Sequence, residues 1–65
     1  MLYVLRATNS TGEDLFYTGR AGAAWVSADR REAFPFELAE GAERRAERFN
    51  AFTALHSLTF DVQTS

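Results

Sequence analysis

The sequence contains no cysteine and no lysine, and it has one histidine, His56, and one proline, Pro35. Without cysteine the chain forms no disulfide, and it offers neither a thiolate nucleophile nor a zinc site with cysteine ligands. A single histidine also excludes a metal cage built only from histidines within one chain. We therefore expect no metal and no cofactor, and the composition is compatible with a reducing compartment.

Long hydrophobic runs are also absent. The apolar run at residues 1–5 stops at Arg6, which makes it too short for the core of a secretory signal peptide. No stretch approaches the roughly 20 apolar residues that a membrane-spanning helix needs. The sequence therefore predicts a soluble intracellular protein that makes no membrane contact.

Basic residues are fewer than acidic residues in this sequence. Nine Asp and Glu residues outnumber seven basic residues, all of them arginine, and the net charge is −2. Proteins that bind nucleic acid usually carry a clustered excess of positive charge, because they displace counterions from the phosphates. We therefore expect no direct binding of DNA or RNA.

What the chain does have is the composition of a folded domain. Its 65 residues are 46% hydrophobic and 14% aromatic, which excludes a disordered tail. A chain of this length supports one compact core. The sequence therefore predicts a single domain over residues 1–65.

The order of the predicted elements is strand, strand, short strand, helix, strand. Strand formers occupy residues 3–8, 15–18 and 25–27, and a helical period runs from about residue 38 to residue 54 or 55. The last strand alternates clearly, because Leu58, Phe60 and Val62 fall on one face. This pattern predicts an α+β fold, a small antiparallel sheet of three or four strands with one helix on one face. The predicted buried face of the helix comprises Leu38, Ala42, Ala46, Phe49 and Thr53, with Phe52 beside them.

The segments between these elements carry turn and cap signals. Residues 19–22 have the GxxG spacing of an RNA-clamping loop, but they join two predicted strands, so we interpret them as a turn. Ser27 or Asp29 is placed to cap a single helical turn over residues 30–33. Pro35 favours an extended backbone at Phe34.

Acidic residues provide the candidate partner-binding surface. Spacings of three and four residues place several glutamates on one strip of the predicted helix. One interpretation is a solvated helix face with ion pairs such as Glu40 to Arg44. The other is an acidic ridge presented to a basic partner, which loop residues could extend. The candidate residues are Glu37, Glu40, Glu43 and Glu47 at the helix, and Glu13, Asp14, Asp29 and Glu32 in loops.

No residue pattern points to catalysis. His56 follows the predicted helix, where a capping or packing role is the common one, and Ser57 beside it has no visible base. Paired carboxylates acting as acid and base need a buried cleft, for which this chain has little room. We expect no enzymatic activity and no catalytic residues. Among the aromatic residues, Trp25 is expected in the core, whereas Phe34 is equally compatible with a partner surface.

Several segments resemble short hypothetical proteins encoded in phages, prophages and mobile elements of GC-rich proteobacteria. These segments are FYTGRAG at residues 16–22, WVS at 25–27, AF at 33–34, EGAERRA at 40–46 and FN at 49–50. The resemblance covers roughly residues 15 to 60. Small proteins of this kind include anti-CRISPR proteins, and the chain is similar to those directed against type I systems, including type I-C.

The resemblance implies a non-enzymatic inhibitor in the cytoplasm of a bacterial host. Such a protein would bind a subunit of the CRISPR surveillance complex Cascade through an acidic, DNA-mimicking surface, and it would block access to target DNA. The acidic residues above would form that surface, and a monomer is expected. The alternative is a small structural or regulatory module that self-associates through a sheet edge or an aromatic patch, or binds another host protein.

Overall fold

The computed structural model describes residues 1–52 and 57–65 as an antiparallel sheet with one helix on one face, which confirms the predicted α+β class. The strands are β1 (Tyr3–Asn9), β2 (Asp14–Tyr17), β3 (Val26–Ser27) and β4 (Leu58–Thr64). The helix α1 (Ala39–Ala51) precedes β4. Two short 3-10 turns, Gly22–Trp25 and Arg30–Glu32, flank β3.

The sheet has the strand order β3-β2-β1-β4, so β1 is central and β4 forms one edge. All pairs are antiparallel, and β1 pairs with β4 along its whole length, from Tyr3 opposite Thr64 to Asn9 opposite Leu58. Phe36 extends the sheet by exchanging two backbone hydrogen bonds of 2.8 Å with Tyr3. This register places the first and last strands side by side.

The core lies between α1 and the sheet. Ala42 and Ala46 of the helix are buried against Leu5, Ala7 and Phe60. Small alanine side chains allow a close approach of helix to sheet, which explains how so short a chain excludes water from its centre. The predicted inward face of the last strand is confirmed, because Phe60 is buried and its neighbours on that face pack against the same cluster.

Two of the predicted core positions are wrong. Leu38 is 70% exposed and Phe52 is 52% exposed. Both have extended backbone and flank α1, so helical periodicity does not apply to them. The helix thus ends at Ala51, earlier than predicted, while Thr53 and the predicted end at residue 54 or 55 lie outside the described residues.

On the sheet face opposite the helix, one arginine covers Phe16. Phe16 pairs with Arg6 and therefore points away from α1, yet it is only 7% exposed. The guanidinium carbon of Arg30 lies 5.4 Å from the Phe16 ring centroid, and its Nη2 donates to the carbonyl oxygen of Thr64 at 2.6 Å. Cation–π contact and the long aliphatic stem of arginine both suit this position.

The predicted turns and cap are confirmed. Gly19 and Gly22 have φ of +80° and +69°, in the left-handed region that glycine adopts at no steric cost. Asp29 caps the 3-10 turn Arg30–Glu32, because its carboxylate accepts from the backbone N–H of Arg31 at 2.9 Å. Phe34, the residue before Pro35, lies outside any helix, and its backbone N–H donates to the carbonyl oxygen of Tyr17 at 2.7 Å.

Candidate functional site

The eight acidic residues predicted from the sequence do not lie on a single surface. Asp14 accepts a hydrogen bond from Thr8 at 3.4 Å and shares the sheet face opposite the helix. Glu32 accepts from Ser27 at 2.6 Å, and Ser27 lies opposite Phe16 on that same face. The sheet therefore separates Asp14 and Glu32 from the helix residues Glu40, Glu43 and Glu47. Of the other predicted residues, Glu13 lies in the turn after β1, Asp29 caps the 3-10 turn Arg30–Glu32, and Glu37 is exposed just before α1.

Several of these carboxylates are held by arginines. Glu40 accepts from Arg44 at 2.9 Å, which is the ion pair that the helical spacing predicts. Because such exposed pairs are worth at most about 1 kcal/mol, their main effect here is to reduce the acidic field. The four ion pairs among the described residues are Arg6–Asp61, Arg20–Glu32, Arg31–Asp29 and Arg44–Glu40.

Two of these pairs shift the pKa of a member. The guanidinium and backbone N–H of Arg31 donate to Asp29 and lower the pKa of its carboxyl. Asp61 accepts two hydrogen bonds from Arg6, at 2.7 and 3.2 Å, and raises the pKa of the guanidinium. Both pKa shifts favour the charged form of the group, so the Asp29 carboxylate and the Arg6 guanidinium stay ionised in their ion pairs.

Glu43 and Glu47 differ in their surroundings from Glu40, the third glutamate of α1. Both are exposed on the flank of α1 that faces β4, and within residues 1–52 and 57–65 no arginine forms an ion pair with either. They border a groove of about 420 Å³ between the helix and the strand. The remaining lining residues are Ala46, Asn50, Phe60, Asp61 and Val62.

The floor of this α1–β4 groove is apolar. Ala46 and Phe60 are buried, and Val62 is half-buried against the core. Asp61 also lines the groove, but its carboxylate is bound to Arg6, whose side chain is on the opposite sheet face. The groove therefore combines an apolar floor with two carboxylates on one rim.

Asn50 closes part of the same groove. Its Nδ2 donates to the carbonyl oxygen of Phe60 at 3.1 Å, and its Oδ1 accepts from the Phe60 N–H at 2.9 Å. An asparagine side chain thereby satisfies backbone groups on the outer side of the edge strand, as a further strand would. Sequence reasoning missed this residue, because nothing in the local pattern links Asn50 to a strand that begins seven residues after the helix.

The other flank of α1 is basic. Arg44, Arg45 and Arg48 border a second depression of about 430 Å³ on the helix. The guanidinium of Arg45 lies 6.0 Å from the Phe49 ring centroid, so part of this flank is stacked on the core. Charge is thus segregated across the helix, with the acidic flank beside β4.

The two aromatic residues considered for a partner surface, Trp25 and Phe34, differ in their surroundings. Trp25 is half-buried, with ring centroids 5.6 Å from Phe49 and 5.7 Å from Phe60, which confirms its expected place in the core. Phe34 is 42% exposed and packs edge-on against Phe36 at 5.0 Å. Of these two residues, Phe34 therefore remains available to a partner surface.

Three further findings concern function. In the part of the chain that the structure describes, no cluster of three or more His, Asp or Glu residues is placed to hold a metal ion, and His56 lies outside that part. No helix within residues 1–52 and 57–65 is long and apolar enough to cross a membrane. Comparisons with protein-family models, with curated proteins and with solved structures give no match for this chain.

Proposed function

We propose that this protein is a non-enzymatic binding protein that docks on a basic site of a partner protein through the α1–β4 groove. The observation that carries the proposal is the pair of carboxylates, Glu43 and Glu47, which form no ion pair with an arginine among the described residues and lie beside an apolar floor. Apolar contact supplies affinity at such a surface, and charge complementarity supplies orientation and speed of association.

The partner that the sequence resemblance suggests is Cascade of a type I-C CRISPR system. A protein that offers carboxylates to the basic groove for target DNA would compete with the DNA phosphates. In this chain the mimicking surface comprises Glu43 and Glu47 rather than eight residues, since the loop carboxylates lie apart and several are neutralised by arginines. The protein then acts as an inhibitor in the bacterial cytoplasm.

A binding assay with purified type I-C Cascade tests this proposal. We expect capture at low salt and competition by target DNA. We also expect loss at high salt, because the distance over which exposed charges interact falls from about 10 Å at 0.1 M to about 3 Å at 1 M. The double variant Glu43→Gln/Glu47→Gln should bind at least about tenfold more weakly. The matched control Glu37→Gln/Glu40→Gln removes the same charge away from the groove and should bind within about threefold of the parent protein. Equal weakening by both variants, or no capture at all, would overturn the proposal.

A second candidate function is self-association, which the exposed apolar residues favour. Leu38 and Phe52 at the two ends of α1 are more than half exposed, and the first two residues are also exposed and apolar. Sedimentation of the protein at micromolar concentration distinguishes the candidates. A stable dimer that is insensitive to salt supports the second function, whereas a monomer at all salt concentrations excludes it.

A further inference from the structure

Among the described residues, no strand pairs with the outer edge of β4, which lies beside Glu43 and Glu47. Asn50 contacts the N–H and C=O of Phe60, so these groups point away from β1. In an antiparallel ladder the direction of these groups alternates along the strand, so the N–H and C=O of Val62, two residues further on, point outward as well. Between Phe60, which Asn50 covers, and Thr64, whose carbonyl oxygen accepts from Arg30, β4 thus presents the N–H and C=O of Val62 to a new strand.

We propose that the basic segment of the partner binds in extended form as a fifth strand, antiparallel to β4 at Val62. This inference rests on the proposed function and specifies the conformation of what is bound. Strand addition to an exposed edge is a common mode of peptide recognition, in which main-chain bonds provide affinity and side-chain pockets provide specificity. Every pair in this sheet is already antiparallel, which favours the same direction for the added strand.

The groove determines which side chains the added strand would carry. Alternate residues of that strand would face the helix side, above Ala46 and beside Glu43 and Glu47. Lysine or arginine fits these positions, since its aliphatic stem covers the apolar floor while its charged end reaches the carboxylates. The groove therefore favours basic residues at every second position, with β-formers between them.

A second copy of this chain is a poorer occupant of the same edge. Two copies that pair through β4 about a two-fold axis at Val62 would bring their α1 helices together on one face of the joined sheet. The acidic flank of one helix would then meet the acidic flank of the other, with Glu43 and Glu47 near their own copies. Like charges at a strand edge oppose such pairing, so the charge pattern selects a basic partner over self-association.

Synthetic peptides test the inference without altering the protein. The probe is a peptide of about seven residues that alternates threonine and lysine. In the antiparallel arrangement the helix-facing lysines exchange main-chain bonds with Val62, so their N–H groups point to β4. N-methylation of the lysines should therefore weaken binding at least about tenfold, whereas N-methylation of the threonines should leave it within about threefold.

Two further measurements complete the test. Amide hydrogen exchange should slow at Val62 on addition of the unmodified peptide, and a peptide with glutamate in place of lysine should not bind. Equal binding of the two N-methylated peptides, unchanged exchange at Val62, or no binding of the unmodified peptide would overturn strand addition. If Cascade is still captured when any of these results is found, strand addition fails but the proposed function does not. The failure of one proposal can therefore be told from the failure of the other.

Discussion

The side-chain amide of Asn50 pairs with the backbone of Phe60 in both directions, at 3.1 Å and 2.9 Å. It joins the last turn of α1 to the edge strand that the helix covers. Because the contact satisfies a donor and an acceptor together, its loss exposes two backbone groups at once. We expect this single residue to fasten the C-terminal part of the helix to β4.

Replacement of Asn50 by alanine should lower the free energy of unfolding by about 1–2 kcal/mol, as expected for two hydrogen bonds at a partly exposed site. Urea unfolding measures the change. Asn50→Asp keeps the acceptor for the Phe60 N–H but faces its carbonyl oxygen with a carboxylate, so it should also be destabilised. An aspartate variant as stable as the parent protein would show that the amide donor contributes nothing.

Gly19 should tolerate alanine less well than Gly22. Both have positive φ, at +80° and +69°, so alanine at either site incurs backbone strain of about 1–2 kcal/mol. Only at Gly19 does an added Cβ meet another side chain, 2.6 Å from Cδ2 of Phe34, whereas Gly22 has open space. Thermal unfolding should therefore rank Gly19→Ala below Gly22→Ala by about 1 kcal/mol or more. Equal melting of the two variants would show that Phe34 moves aside without cost.

Phe49 is expected to carry much of the stability of the core. Its ring centroid lies 5.1 Å from Tyr17, 5.6 Å from Trp25 and 4.9 Å from Phe60. Phe49→Ala should cost about 3–5 kcal/mol, because it leaves a cavity among three rings. The matched control Phe52→Ala removes a ring that is mostly exposed and should cost about 0.5 kcal/mol or less. A chemical denaturation series in which both variants behave alike would contradict this account of the core.

The cap at Asp29 should make a small contribution to stability that depends on pH. Its pKa is lowered in the folded protein, so the contribution is present above the ordinary aspartate pKa of about 3.9 and is lost as pH falls through the lower folded value. A carboxyl NMR titration should place the midpoint of Asp29 below the ordinary value. Arg31→Ala should raise that midpoint only partly, because the backbone N–H at residue 31 still donates. An unchanged midpoint in this variant would mean that the guanidinium has no part in the shift.

Local rules were sufficient for most of the fold. The alternation at residues 58–63 identified β4 and its inward face, and the three- and four-residue spacing identified Ala42 and Ala46 as the buried side of α1. The errors at Leu38 and Phe52 arise where the backbone leaves the helical conformation, and a periodic pattern cannot show that point. Boundaries were therefore the weak part of the prediction, whereas the type and order of the elements were correct.

The site depended on contacts that local rules do not reach. The pair Glu40–Arg44 lies four residues apart on one helix and was predictable. By contrast, Arg6 meets Asp61 across 55 positions, and Arg30 reaches Thr64 across 34. Within the described residues, only the folded arrangement shows that Glu43 and Glu47 border a groove and form no ion pair with an arginine.

The pairing of β1 with β4 has a consequence for how the chain acquires its structure. The central strand finds one neighbour early in the sequence, but the other is the last strand, so loop closure over most of the chain must precede the final ladder. Before β4 pairs with β1, Ala42 and Ala46 lack their contact with Phe60, and β1 is an unpaired edge strand of the sheet. During synthesis, the ladder between β1 and β4 can therefore form only after the helix and the first hairpin have been made, which exposes the edge of β1 to other chains for that time.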